Sequence, residues 1–175
     1  MKKLILSVAL LIAVPSVYAE EKLPSAFGIE FGMGYTDKDL QKIGAKCSMD
    51  KGGYIICDLS KIPKPYADFS LYRMFLDEKT RRPTLIMGAR SANLPCQSDI
   101  TRLAKIIELN RGINLQYTEF PDGGGYKYEW TEGVPMTADH RSVMAVCGPM
   151  QGAMAYQIFY GNHSGDSRWP DTSGL

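Results

Sequence analysis

Apolar and polar positions change period several times along this 175-residue chain, and each change marks an element. From Leu4 to Val14 the run is apolar, broken by Ser7, and has no polar face. Phe27-Gly28-Ile29-Glu30-Phe31-Gly32-Met33 alternates with period two, the pattern of a short strand. Thr36-Asp37-Lys38-Asp39 then has the form of a capping box, with Thr36 as N-cap and Asp39 at N3. Leu40 and Ile43 give the short helix that follows an apolar side, and Gly44 suits its C-terminal cap. Ala45–Met49 and Tyr54–Leu59 read as strands joined around Gly52-Gly53, a strong hairpin signal. Pro63 and Pro65 break the chain, after which Ala67–Leu76 and Thr84–Arg90 form a second hairpin pattern around the charged turn Asp77–Arg82.

The second half repeats the order. Ser98 is placed to cap a helix over Asp99–Arg111, with Ile100, Leu103 and Ile107 on one face and Arg102, Lys105 and Glu108 elsewhere. Gly112 closes that helix. Four strand patterns follow: Ile113–Tyr117, Tyr126–Thr131, Arg141–Cys147 and Ala153–Tyr160. The sequence therefore predicts an α+β fold, mainly antiparallel sheet with two helices, in two helix-plus-four-strand halves of similar plan. Residue identity between the halves does not mark a duplication.

The stretch Phe27-Gly28-x-x-Phe31-Gly32-Met33, a capped helix, and then strands with Pro between them resembles a recurrent class of small exported bacterial proteins. The resemblance covers about the first 65 residues after Ala19. It implies an α+β fold. Most members of that class lack an assigned activity, and the resemblance carries no functional residue across.

The N-terminus fits export. Lys2 and Lys3 precede the apolar run, and Val17 and Ala19 supply small residues at −3 and −1 of a cut before Glu20. The run is about half the roughly 20 residues a bilayer span needs, so a cleaved signal peptide over residues 1–19 is expected rather than an anchor. No Cys lies near the cut to make a lipoprotein. The expected organisation is a single domain over residues 20–163 and a Gly-, Ser- and Pro-containing tail over 164–175, with a periplasmic destination. Without Lys2 and Lys3 the 20 cationic residues become 18 against 19 acids, a net charge of about −1. Such a chain has no electrostatic footprint for nucleic acid.

The four cysteines are Cys47, Cys57, Cys96 and Cys147, an even count that in an oxidising compartment reads as two disulfides. Three pairings exist. The favoured one joins Cys47 to Cys57 across the first hairpin and Cys96 to Cys147 from the start of the second helix to a late strand. No C-x-x-C spacing suggests redox or zinc chemistry.

Catalytic groups are scarce, and no cofactor or metal site is expected. His140 lies between Asp139 and Ser142, but neighbouring strand residues point to opposite faces and no G-x-S-x-G elbow presents a serine. His140 is thus expected on a surface strand, and His163 beside the tail. Glu30, Asp122, Glu129 and Glu132 are the acids by which an envelope hydrolase acting on peptidoglycan or glycan would work. Met144, Met150 and Met154 raise copper ligation, although Met is also an ordinary filler of strand interiors. Asn162-His163-Ser164 matches a glycosylation sequon without meaning in a bacterium.

The distinctive surface is Pro121-Asp122-Gly123-Gly124-Gly125 and the strand after it, where Tyr126, Tyr128 and Trp130 share one face. Turned inward, that stripe is core. Turned outward, Asp122, Tyr126, Tyr128 and Trp130 form a contact patch, because Tyr and Trp dominate binding hot spots. The reading that follows is a non-enzymatic periplasmic protein that recognises an envelope or secreted protein, as an inhibitor or immunity factor does. The carboxylate hydrolase is the alternative.

Overall fold

A computed structural model describes residues 23–66, 69–92, 96–120, 124–133, 139–150 and 153–164. The expected signal peptide, Asp122 and residues 165–175 lie outside the described residues, as do the side chains of Met150 and His163. Among the described residues no helix is long and apolar enough to cross a membrane.

The chain opens with β1 (Ser25–Ala26) and β2 (Ile29–Glu30), a two-stranded hairpin. The single strand expected over Phe27–Met33 is instead a tight turn, because Phe27 (φ 52°) and Gly28 (φ 81°) both take the left-handed conformation of a type I′ hairpin. Then come α1 (Asp37–Lys42), β3 (Ala45–Met49), β4 (Tyr54–Leu59), β5 (Leu71–Asp77) and β6 (Pro83–Ser91). The capping box of α1 forms as expected: the Asp39 amide donates to Thr36 Oγ1 and the Thr36 amide donates back to Asp39. The Thr36 hydroxyl (2.6 Å), then Lys42 (2.9 Å) and the Thr36 amide, donate to the Asp39 carboxylate and hold its pKa down at about 2.

The second half is α2 (Gln97–Arg111), β7 (Gln116–Glu119), β8 (Tyr126–Glu132), β9 (Asp139–Met150) and β10 (Ala153–Ser164). Here several boundaries differ from expectation, β9 being longer at both ends than Arg141–Cys147. Ser98 is not the cap: α2 starts at Gln97, with Cys96 at the N-cap and no side-chain cap bond. Cys96 is held in the core, so a tether fixes this end where a hydrogen bond does elsewhere. Ile113 and Leu115 are buried but precede the strand, since the Leu115 amide donates to Glu108 Oε1 (2.9 Å) instead of to a ladder. Ser164, assigned by sequence to the tail, is the last residue of β10.

Two cysteine pairs lie at disulfide distance, and they are the two expected. Cys47 and Cys57 sit directly opposite one another in the β3–β4 ladder, Cα atoms 4.0 Å apart. Cys96 and Cys147 join the start of α2 to β9 across 6.0 Å.

The sheet order is β3-β4-β5-β6-β10-β9-β8-β7, with every described pairing antiparallel. Each half is a helix and a four-stranded meander. The meanders meet at their last strands, β6 with β10, so the second half runs outward from the seam in the reverse order of the first. Both helices and the N-terminal hairpin send their buried side chains into one large cluster, which includes Leu40, Ile100, Leu103, Ile107, Tyr156 and Ile158. A smaller cluster, Phe75, Leu85, Met87 and Ala89, comes from β5 and β6 alone, with Ile56, Leu71 and Phe159 packed against it. Strand alternation puts it on the opposite side of the sheet.

Gly125, just before β8, lies close to β9, and only glycine fits there. A Cβ on Gly125 would strike the Cys147 carbonyl oxygen and the Phe120 ring. Glycine at this position allows close approach to the neighbouring strand β9. Gly125→Ala is therefore expected to cost about 1–3 kcal/mol of stability, because backbone must move to admit the methyl. Urea unfolding of that variant checks it, and an unchanged midpoint would contradict the described β8–β9 contact.

Candidate contact surface

The stripe Tyr126, Tyr128 and Trp130 lies on the helix side of the sheet. All three are half-buried and packed against the large cluster. Their placement follows from register: Tyr126 opposes Cys147, Tyr128 opposes Ala145 and Trp130 opposes Val143, and all three partners on β9 are buried. One edge of each ring is thus core, and the rest is covered or not by what lies on the outer strand.

That outer strand is β7, which has four exposed residues and forms one edge of the sheet. Its register sets Tyr117 against Tyr128 and Glu119 against Tyr126. Tyr117 is 42% exposed and stacks on Tyr126 (centroids 6.3 Å, 19° between planes) while touching Tyr128 at 5.1 Å. The Tyr117 hydroxyl donates to Glu119 Oε1 (2.8 Å) and accepts from Gln97 Nε2 (3.3 Å). Tyr128 shares a hydrogen bond with Thr101 Oγ1 at 3.1 Å. Three tyrosines from two strands and two polar residues from the first turns of α2 thereby make one continuous surface.

These bonds hold the Tyr117 and Tyr128 rings in place. Partial withdrawal from water, and then the Glu119 carboxylate, push the Tyr117 phenol up to about 12. Its proton therefore stays in place at neutral pH.

The sequence also carries a signal for Tyr117, which the stripe on β8 alone does not include. A hairpin centred on residues 121–124 pairs 119 with 126 and 117 with 128, so Tyr117 had to lie beside the stripe already noticed.

Of the candidate acids within the described residues, Glu129 and Glu132 do not converge. Glu129 and Glu132 lie three apart on β8 and so face opposite sides of the sheet, paired with Lys127 (2.9 Å) and Arg141 (3.4 Å) respectively. Glu30 is exposed on the N-terminal hairpin. His140, expected on a surface strand, is instead 4% exposed, at the second position of β9 opposite His163 of β10. Burial holds its pKa below the ordinary value of 6.5. Met144 shares a side of the sheet with its rung partner Phe159, whereas Met154 packs into the large cluster on the other side. They cannot ligate one ion. Among the described residues no group of three or more His, Cys, Asp or Glu could hold a metal.

No family model, curated protein or solved structure matches this chain.

Proposed function

We propose that the protein is a non-enzymatic periplasmic binding protein that recognises another protein, of the inhibitor or immunity type, through the β7–β8 edge. The observation that carries this is the exposed Tyr117, laid on Tyr126 and Tyr128 and held from behind by Gln97 and Thr101. A tyrosine ring is a large amphipathic contact with few torsions to freeze. An edge strand adds main-chain donors and acceptors facing outward, which a partner strand can use. The paired cysteines fit the oxidising compartment that the N-terminal sequence pattern also points to.

The test is a pull-down from envelope extract with native protein and two variants. Tyr117→Ala is expected to weaken capture of the stoichiometric partner by about 2 kcal/mol, roughly thirty-fold, while stability changes by about 1 kcal/mol or less. Trp130→Ala, whose ring packs against the core, should instead lower stability by about 2–4 kcal/mol. Equal capture by Tyr117→Ala and native protein would remove this edge from the interface. Turnover of cell-wall glycan by purified protein would replace the reading with the hydrolase.

A further inference from the structure

A cavity of about 350 Å³ lies on the helix side, away from the tyrosine edge. Three separate parts of the chain line it: the β1–β2 turn, Lys64–Tyr66 with Phe69, and the last turns of α2, over a floor that includes Ile158 and Tyr160 of β10. Its volume falls within the roughly 300–1,000 Å³ of small-molecule sites.

The walls are built, not incidental. The Lys64 amide donates to the Phe27 carbonyl at 3.0 Å, which locks the segment onto the turn. Arg111 donates to the Ser25 carbonyl at 2.8 Å, which locks the helix end onto β1. Phe27 sits at φ 52°, a conformation unfavourable for a bulky side chain. It is held there by ring contacts to Tyr72 (5.1 Å) and Tyr160 (5.5 Å), and its side chain lines the cavity.

The chemistry is one-sided. Phe27, Tyr66, Phe69, Leu103, Ile106 and Ile107 supply apolar wall, and Lys64 and Arg111 supply two positive charges. No carboxylate is among the described lining residues. Lys64 is exposed and Arg111 half-buried, so one cation stands at the mouth and one deeper. The guanidinium lies over the Tyr160 ring at 5.5 Å and has five N–H donors, more than its bond to Ser25 uses. The C-terminus of α2 opposes an anion with about half a negative charge, less than two full cations supply.

We propose that this cavity binds a small amphipathic anion, with an apolar body against the aromatic wall and its anionic head met by Lys64 and Arg111. The proposal does not depend on the protein-binding edge. Anilinonaphthalene sulfonate is the probe, titrated by fluorescence against the whole mature protein, with neutral N-phenylnaphthylamine as its uncharged counterpart. The expected result is single-site binding of the sulfonate, tighter than the neutral dye and weakened by salt, as an incompletely buried charge contact should be. Lys64→Glu should raise the dissociation constant for the sulfonate at least about five-fold and leave the neutral dye within about two-fold. Asn110→Trp, which sets an indole among the lining residues from the helix, should weaken both dyes.

Near- and far-ultraviolet circular dichroism confirm that each variant is folded, since a loosened core binds such dyes unspecifically. Absence of binding to native protein, equal affinity for the two dyes, or sulfonate binding unchanged in both variants would each overturn the proposal.

Discussion

Tyr156→Ala is expected to lower the unfolding free energy by about 4 kcal/mol. Tyr156 is fully buried and is the largest such side chain among the described residues. It stands on β10 beside the seam of the sheet, opposite Arg90 of β6 on one side and Cys147 of β9 on the other. Its ring packs against Phe69 at 5.5 Å and under the Arg90 guanidinium at 5.1 Å, and its hydroxyl donates to the Asp99 carbonyl at 3.1 Å. Truncation removes contacts to both halves at once and leaves a cavity that no single neighbour can fill. Tyr156→Phe separates the terms: it keeps the ring and loses one hydrogen bond, so about 1 kcal/mol is expected. Urea unfolding of the two variants measures both. A loss below about 1.5 kcal/mol for the alanine variant would contradict the packing described.

The second large effect belongs to the long cysteine link. Replacing both Cys96 and Cys147 by Ala should cost about 4 kcal/mol, against about 2.7 for Cys47 and Cys57, from the loop lengths that each pair closes. The sequence separations are 51 and 10 residues. Burial works in the same direction, because Cys96 and Cys147 are both fully buried whereas Cys47 is exposed. Peptide mapping without reductant should find 47 linked to 57 and 96 to 147. Chemical unfolding of the two double variants should then rank them, and a costlier loss of the 47–57 link would reverse the account.

The parts of the fold legible in the sequence are those decided by near neighbours. The limits of β3 and β4 follow from Gly52-Gly53 and two runs of matching length, and α1 from Thr36 and Asp39. The N-terminal hairpin was misread because Phe-Gly-Ile-Glu-Phe-Gly alternates equally well as one strand or as a reversal at Phe27-Gly28. In the reversal the Phe27 ring packs against Tyr72, Phe69 and Tyr160, residues distant in sequence. Likewise the start of α2 answers to a tether at Cys96, not to the nearby Ser98. The stripe on β8 was visible, but its role depends on Tyr117 and on Thr101 and Gln97 from a helix. Period shows which residues share a face, not what covers it. The cavity is still further from view, since its walls are brought together from residues 25 to 160.

The seam between the meanders also bears on how the chain reaches its folded state. β6 has seven consecutive buried residues, from Pro83 to Ala89, so it is apolar on both sides. Its partner β10 begins more than sixty residues later, at Ala153. While the polypeptide is being made from its N-terminus, the first meander can assemble from local hairpins, but β6 waits as an unsatisfied border until nearly all the rest exists. Such a border is a template for self-association. The nascent chain is therefore most vulnerable to aggregation in that interval, and a chaperone that shields Leu85-Ile86-Met87 would do more for yield than one acting at either outer edge of the finished sheet.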